Sequence, residues 1–222
     1  MTRTYFITGT DTEVGKTYVS CQLLTAAAKA GKTAVGYKPV AAGCEWRDGA
    51  WQNEDALAFL QASNVAVTLN EVNPVALQPA IAPHIAAQQA GVEISEQLIK
   101  DGLARLQARQ PDVVIMEGAG GWRLPLGNDR FLSHVVQDLA LEVIVVVGMR
   151  LGCLNHALLT AEAIQADGLK VKGWIANQLC DAMPCFDENL ATLERLMPAP
   201  HLATVPYGTA PDYAQLAAKI LS

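Results

Sequence analysis

The sequence predicts an α/β fold, a doubly wound and mostly parallel sheet with helices on both faces. Short β-branched runs alternate with longer amphipathic stretches along all 222 residues. Several of the short runs are apolar on both faces, which is typical of parallel strands that helices cover on each side. Hydrophobic residues make up 51% of the chain, and we find no repeat or linker, so one domain over residues 1–222 is predicted.

The elements follow in order from turn signals and hydrophobic spacing. Strands are predicted at residues 4–8, 33–37, 113–116, 143–147, 171–176 and 202–205. Helices are predicted at residues 16–30, 54–62, 94–109, 131–139, 155–166, 187–196 and 212–221. Gly31 and Gly168 are predicted to end two helices, because a strand follows each within a few residues. Ligands of doubly wound sheets bind beyond the carboxyl ends of the strands, so the residues that follow each strand are the candidates for a functional site.

The first predicted strand leads into a phosphate-binding loop. Gly9 is followed by a polar turn and by Gly15-Lys16-Thr17, which opens the first helix. Free amides at a helix N-terminus, the helix dipole, a lysine and a hydroxyl suit ATP phosphates and Mg²⁺. The usual P-loop motif has its first glycine where this chain has Thr10. The alternative is an ordinary helix N-terminus with a solvated lysine, but the order of strand, loop and helix favours an ATP site.

Two further strands are followed by charged residues. Lys38 stands in a turn that contains Pro and Gly, where its charge suits a transferring phosphoryl group or an anionic substrate. Glu117 follows four apolar residues and precedes a glycine-rich turn, as does the acidic residue with which P-loop enzymes hold Mg²⁺. Alone, each residue also fits an ordinary surface turn. Beside a phosphate loop, Lys38 is predicted to be a second catalytic cation and Glu117 a metal ligand.

Asp55 and Asn177 each admit two interpretations. Asp55 suits a further Mg²⁺ ligand or a first-turn acid that the helix dipole favours. Asn177 suits recognition of a base edge or a cap on a turn. Spacing alone does not decide either case. The four histidines show no metal-ligand spacing and are assigned to packing or local hydrogen bonds.

The composition argues against several classes of partner. The net charge is −6 without a long basic run, so nucleic acid is not an expected partner. The longest apolar run, at residues 143–148, is far shorter than the roughly 18 residues of a membrane span, so no membrane association is expected. The five cysteines lack Cys-x-x-Cys spacing and the first residues do not resemble a secretory signal, so reduced thiols and a cytoplasmic location are expected.

Taken together, the motifs resemble those of the dethiobiotin synthetase family of biotin biosynthesis. The similar segments are GTDTEVGKT at 9–17, GYKPVAAG at 36–43, NEDAL at 53–57, EGAGGW at 117–122, VVGMRLGCLNH at 146–156 and GWIANQ at 173–178. Any one of these motifs is weakly specific, whereas the ordered set is specific and covers nearly the whole chain. The resemblance implies a homodimeric, Mg²⁺-dependent ATP enzyme that closes a ureido ring on 7,8-diaminononanoate with CO₂.

The resemblance also implies a reaction path. One substrate amine takes up CO₂ as a carbamate, which attacks the γ-phosphate of ATP and forms a carbamic-phosphoric anhydride. The second amine then closes the ring and releases phosphate. A loose phosphoryl-transfer transition state needs positioning and cationic stabilisation more than acid or base chemistry, which agrees with the residues found after the strands.

A role for each site residue follows from the same resemblance. The implied catalytic residues are Lys16 on the outer phosphates, Lys38 facing the carbamate and γ-phosphate, and Thr12 near the amines. The implied Mg²⁺ ligands are Thr17, Asp55 and Glu117. The implied nucleotide contacts are Glu13, Val14, Gly15, Lys16, Thr17, Tyr18, Asp55, Glu117, Gly118, Ala119, Gly120, Asn177, Gln178, Pro206, Tyr207, Gly208 and Asp212. The implied substrate contacts are Lys38 with Gly152, Cys153, Leu154 and Asn155, whose helix-opening amides receive the substrate carboxylate across the dimer interface.

The chain departs from the family pattern at three places. Ala42 stands where similar proteins often have a serine, and Gln178 stands where an aspartate is often found. The tail at residues 206–212 only loosely resembles the segment that closes over adenine and ribose. Base specificity is therefore the property that the sequence constrains least.

The alternative interpretation is a P-loop ATPase switch of the partitioning or septum-site type. Those proteins carry an additional lysine five residues before the invariant one, where this chain has Asp11. They also use a basic, amphipathic C-terminal membrane helix, whereas the last residues here are nearly neutral. A third interpretation, an amide-forming ligase that acts on cobyrinate, usually includes a glutamine amidotransferase domain, for which no residues are left over.

Overall fold

The computed structural model of the protein describes residues 2–221. Within that range the strands are β1 (Arg3–Gly9), β2 (Ala34–Tyr37), β3 (Val40–Ala42), β4 (Glu45–Arg47), β5 (Ala50–Gln52), β6 (Val75–Leu77), β7 (Val113–Glu117), β8 (Pro125–Gly127), β9 (Arg130–Phe131), β10 (Glu142–Met149), β11 (Val171–Gln178) and β12 (His201–Val205). The helices are α1 (Lys16–Lys29), α2 (Glu54–Ala62), α3 (Leu69–Val72), α4 (Pro83–Gln89), α5 (Glu96–Gln107), α6 (Leu132–Asp138), α7 (Cys153–Ala166), α8 (Phe186–Leu196) and α9 (Tyr213–Leu221).

The predicted α/β architecture is confirmed. Six strands form one sheet in the order β12-β11-β10-β1-β7-β2, and every neighbouring pair in it is parallel. The strand β1 lies in the sheet interior, where Phe6 is in register with Val143 of β10 and Met116 of β7. Because all six strands run the same way, their carboxyl ends meet at one edge, and the residues after β1, β2 and β7 lie together there.

Helices cover the sheet on both faces, and the side chains of β1 alternate between the two layers. Tyr5 and Ile7 pack in a buried cluster with residues of α1, α2 and α9. Phe6 points to the other cluster, which contains residues of α5, α6, α7 and α8. Burial on both sides explains why these strands read as continuous apolar runs in the sequence. No helix within residues 2–221 is long and apolar enough to span a bilayer.

The predicted boundaries differ from the observed ones by a few residues. The predicted helix 94–109 begins instead at Glu96, because the Ser95 hydroxyl caps it by accepting from the Leu98 N–H at 3.2 Å. The predicted helix 155–166 begins earlier, at Cys153, after Gly152 with a φ of 95°. Gly31 and Gly168 follow α1 and α7 with φ values of 73° and 76°, as predicted for helix ends.

Several short elements were missed by the sequence analysis. The helices α3 and α4 and the strand pairs β3 with β6, β4 with β5 and β8 with β9 lie in stretches without a predicted element, except that Phe131 of β9 was predicted to begin a helix. The missed strands have two or three residues each, which is too short to show a period of two. These pairs follow β2 and β7 and therefore build the loops at the functional edge of the sheet.

Gly36→Ala is expected to destabilise the fold. A Cβ at Gly36 would lie 1.9 Å from Cδ1 of Phe59, whose ring is fully buried under β2. Overpacking of this kind costs about 1–3 kcal/mol of unfolding free energy, so the urea midpoint is expected to fall. The double variant Gly36→Ala/Phe59→Leu should regain part of the loss. An unchanged midpoint in the single variant would contradict this close packing.

Candidate functional site

A cavity of about 790 Å³ opens beyond the carboxyl ends of β1, β2 and β7. It brings together nine of the predicted site residues, namely Thr12, Glu13, Gly15, Lys16, Thr17, Lys38, Asp55, Ala119 and Gly120. A second cavity, of about 300 Å³, is lined by Tyr18, Asn177, Gln178, Leu179, Pro206, Tyr207 and Gly208. Thr17 and Tyr18 are adjacent at the start of α1, so the two cavities flank the same helix N-terminus.

Two residues of the phosphate loop have left-handed backbone conformations, and Asn177 supports the loop. Glu13 has a φ of 59° and Gly15, which caps α1, has a φ of 81°. Asn177 Nδ2 donates to the Val14 carbonyl at 2.9 Å, and a Cβ at Gly15 would lie only 2.2 Å from that nitrogen. Gly15 is therefore needed both for its dihedral angle and for its close contact. The Asn177 amide group thus supports the loop, which is the structural role considered for it.

Lys38 is the centre of a buried charge network. Its ammonium is 4% exposed and donates to Glu117 Oε1 at 2.5 Å, to Asp55 Oδ2 at 3.0 Å and to the Gly118 carbonyl at 3.4 Å. Glu117 is completely buried and also accepts from Thr17 Oγ1 at 2.8 Å. One lysine thereby connects the ends of β2 and β7 with the first turn of α2, three places far apart in the sequence.

The main chain fixes Lys38 in this position. Its N–H donates to the Val72 carbonyl at 2.9 Å, and its carbonyl accepts from Asn73 Nδ2 at 2.7 Å. Asn53 places Asp55 by capping α2, since its Oδ1 accepts from the Asp55 N–H at 3.0 Å. Lys38 and its partner Asp55 are therefore both positioned through their main chains.

Burial and neighbouring charges shift the pKa values of the network in different directions. Burial lowers the pKa of Lys38, but Glu117 and Asp55 outweigh this cost, so that its pKa is raised. The pKa of Lys16 is lowered, chiefly by burial and further by the charge of Lys38. Burial raises the pKa of Asp55, but the charge and hydrogen bond of Lys38 together outweigh burial, so the pKa of Asp55 is lowered. Lys38 and Asp55 thus stay charged at neutral pH.

The predicted metal ligands supply oxygen donors only. Thr17 Oγ1 donates to Glu117, and the Lys38 ammonium bridges Glu117 to Asp55, so the three predicted ligands lie in one contact network. Within residues 2–221, no group of three or more His, Cys, Asp or Glu residues is arranged to hold a metal. A hydroxyl and two carboxylates leave room for water and phosphate oxygens, which is the ligand set that Mg²⁺ prefers. The residues present therefore fit Mg²⁺.

Sequence reasoning missed several residues that support the site. Ser20 Oγ donates to Glu117 Oε2 at 2.9 Å, and its position three residues after Thr17 on α1 was a signal that could have found it. Trp122 Nε1 and Arg123 Nη1 donate to Asp167 Oδ2 at 2.7 and 2.6 Å, which fastens the glycine-rich turn after β7 to the end of α7. No local sequence pattern predicts that long-range contact.

The cysteine thiols are expected to differ in reactivity. Burial, with smaller contributions from the Glu117 and Asp55 carboxylates, raises the pKa of Cys21 to about 12. All five cysteines carry free thiols, and Cys180 and Cys185 are exposed. At pH 8, iodoacetamide should label the exposed pair and spare Cys21, because the thiolate is the reactive form. Peptide mass spectrometry measures this, and early labelling of Cys21 would contradict the burial assigned to it.

Sequence comparisons agree with this geometry. A family model described as an AAA domain matches residues 3–212. The chain is 59% identical over 215 residues to the ATP-dependent dethiobiotin synthetase BioD of Alteromonas mediterranea, with 92% of each chain covered. It is 51% identical over 218 residues to the protein of that name from Aromatoleum aromaticum, with 98% of this chain and 96% of the relative covered. This chain belongs to the dethiobiotin synthetase family. The resemblance inferred from the motifs is confirmed.

Solved structures of other proteins share the fold of this dethiobiotin synthetase family member. The septum site-determining protein MinD of Pyrococcus horikoshii is similar with a TM-score of 0.58 and 17% identity, covering 100% of this chain and 95% of that one. A ParA family ATPase from Chlorobium tepidum is similar with a TM-score of 0.57 and 12% identity, covering 99% and 97%. At such identities the likeness shows the P-loop NTPase-like fold alone. It does not favour a partitioning or septum-site switch.

Proposed function

We propose that this chain, acting as one domain over residues 1–222, is an ATP- and Mg²⁺-dependent synthetase that converts 7,8-diaminononanoate and CO₂ to dethiobiotin, with release of ADP and phosphate. The observation that carries the proposal is the buried Lys38 ammonium between Asp55 and Glu117 at the phosphate loop. Relatives as similar as 59% identical bear the name of this activity. A phosphoryl transfer needs such a fixed cation more than it needs a general base.

The reaction we propose begins with carbamate formation. One amine nitrogen bonds to the carbon of CO₂ and loses a proton. A carbamate oxygen then bonds to the γ-phosphorus, and the bond from that phosphorus to the ADP oxygen breaks. The second amine attacks the carbamoyl carbon and loses a proton, the bond from that carbon to the phosphate oxygen breaks, and the ring closes as phosphate leaves and takes up that proton.

The chain's own residues hold and neutralise the reacting groups in this proposal. We assign the ATP phosphates to the backbone of residues 13–18, and the outer phosphates to Lys16, whose ammonium donates to the Asp11 carbonyl at 3.1 Å in this structure. Lys38 faces the carbamate and γ-phosphate, and Thr12 lies beside the amines. When held by Thr17, Asp55 and Glu117, Mg²⁺ supplies positive charge to the phosphate oxygens.

The second cavity is the proposed base pocket. Asn177 uses Nδ2 to support the loop, so we assign its amide oxygen to the adenine amino group. Gln178 Oε1 accepts from the Tyr207 N–H at 3.4 Å, which joins the two loops of this pocket. Asp212 caps α9 through Oδ1, which accepts from the Ala214 N–H at 3.0 Å, and its other oxygen is assigned to the nucleotide. The glycine-rich residues 118–120 complete the nucleotide contacts.

We propose a homodimer in which residues 152–155 receive the substrate carboxylate across the interface. These residues open α7, a 14-residue helix, so the amide N–H groups of Gly152, Leu154 and Asn155 suit an anion. Leu151 is 100% exposed and Leu159 is 55% exposed, which supports a partner surface on this part of the molecule. With a net charge of −6, a cytoplasmic protein without nucleic-acid or membrane partners is proposed.

Phosphate release from Mg·ATP and bicarbonate, with and without 7,8-diaminononanoate, tests the proposed function. Release that depends on the diamine, together with a product of the mass of the cyclic urea, is the expected result. Release that is indifferent to the diamine would instead favour an ATPase switch. Sedimentation of the protein alone measures whether it is a dimer.

A further inference from the structure

An ion pair joins the phosphate loop to the turn that precedes α7. Arg150 Nη2 and Asp11 Oδ2 are 2.5 Å apart, and the two side chains are 43% and 45% exposed. The main chain places both partners firmly, since the Thr10 N–H donates to the Val146 carbonyl at 3.1 Å and the Cys153 N–H donates to the Arg150 carbonyl at 3.0 Å. The pair thus bridges the ends of two neighbouring strands, β1 and β10.

Asp11 also contacts two of the predicted catalytic residues, Thr12 and Lys16. Its Oδ1 accepts from the Thr12 N–H at 2.8 Å, and its carbonyl accepts from Lys16 Nζ at 3.1 Å. Arg150 therefore acts on Thr12 and Lys16 through one intermediate residue. It touches neither of them according to these contacts, so any effect on catalysis passes through the Asp11 carboxylate.

The charge of Asp11 requires a counter-charge at this place. A carboxylate beside a phosphate-binding loop repels the anion that the loop is built to take. Pairing with the Arg150 guanidinium cancels that repulsion, while both Asp11 carboxylate oxygens remain in use as acceptors. Exposed ion pairs contribute little to folding stability, so the benefit of this pair lies in the site rather than in the fold.

We infer that Asp11 and Arg150 are positioning residues: they tie the loop segment that contacts Thr12 and Lys16 to the turn before α7, and Arg150 neutralises a carboxylate that would otherwise oppose ATP. The inference rests on the proposed function, because ATP and the diamine are the ligands that these elements are assigned. It adds the β10–α7 turn to the determinants of nucleotide affinity. The turn before the proposed carboxylate site and the phosphate loop thereby form one unit.

The test compares Arg150→Gln, Arg150→Lys, Asp11→Asn and the double variant Asp11→Asn/Arg150→Gln. Arg150→Gln is expected to raise the Kd and KM for Mg·ATP about tenfold, because Asp11 keeps its charge and loses its partner. Arg150→Lys should restore affinity to within about threefold of the parent. Asn at position 11 still offers an oxygen to the Thr12 N–H, so the double variant should bind ATP more tightly than Arg150→Gln alone. Calorimetry and steady-state kinetics give both constants.

Lys170→Gln is the matched control, since Lys170 pairs with Glu142 at 2.9 Å at the opposite edge of the sheet. It should leave the ATP constants at the parental values. The inference would be overturned if Arg150→Gln bound ATP with parental affinity or if the losses in the double variant were additive. It would also be overturned if Arg150→Gln were unfolded enough, by its unfolding midpoint, to account for the lost affinity. A parent that makes no dethiobiotin would refute the proposed function, while the ATP affinities would still decide the role of this pair.

Discussion

Lys38→Ala is expected to abolish dethiobiotin formation while ATP binding is largely kept. The loop amides and Lys16 account for phosphate binding, whereas Lys38 is the cation placed for the transferring group. Removal of one donor from a preorganised site of this kind lowers kcat by about 10²–10³-fold, and a full positive charge should reach the upper end or beyond. Phosphate release measures turnover, and calorimetry with Mg·ATP measures binding.

The control for this variant is Lys32→Ala. Lys32 pairs with Asp112 at 3.4 Å, and its side chain is 45% exposed, at the edge of the sheet far from the cavity. Loss of Lys38 leaves the buried Glu117 without its cation, so folding is checked by denaturation, where about 3 kcal/mol of destabilisation is expected. A well-folded Lys38→Ala protein with turnover within about fivefold of the parent would refute the catalytic role.

Glu117→Gln is expected to raise the Mg²⁺ concentration required for half-maximal activity by about tenfold or more. Glutamine keeps the size of the side chain and one oxygen that can accept from Thr17 or Ser20, but it removes the negative charge. An unchanged Mg²⁺ titration would exclude Glu117 from the metal ligands. Glu142→Gln, at the amino end of β10, is the matched control and should titrate as the parent does.

The same variant should change the pH dependence of activity. Glu117 is the larger of the two charges that raise the pKa of Lys38, whereas burial lowers it. Without the Glu117 charge the pKa of Lys38 falls, so Lys38 loses its proton at a lower pH. The alkaline limb of the kcat profile is therefore expected to move to lower pH in Glu117→Gln. An alkaline limb at the same pH as in the parent would show that this limb does not report the loss of the Lys38 proton.

The main sheet was predictable because its strands are buried runs of four to eight residues, mostly apolar, and are separated by helices. The strand candidate at 113–116 corresponds to β7, and the acidic residue after it belongs to the strand as Glu117, which places its carboxylate at the functional edge. Lys16, Lys38 and Glu117 could be predicted to meet there, because the carboxyl ends of parallel strands share an edge.

The contacts that define the site were not predictable from local pattern. Lys38 and Glu117 are 79 residues apart, and no spacing rule indicates a 2.5 Å contact across that distance. Asp167 lies at the far end of α7, and its contact with Trp122 follows from how the helix packs rather than from sequence spacing. The short pairs β3 with β6 and β4 with β5 depend on backbone partners, so their residues carried no periodic signal.

Because β1 lies in the interior of the sheet, it can pair with its neighbours only after they have been translated. Its two neighbours in the sheet, β7 and β10, are Val113–Glu117 and Glu142–Met149, which leave the ribosome long after Arg3–Gly9. Both edges of the first strand therefore stay unpaired until Glu117 has been made, and one of them until Met149 has been made. The nucleotide loop, which depends on β1, becomes competent only late in translation, so truncated chains that stop before Glu142 should neither bind ATP nor escape aggregation.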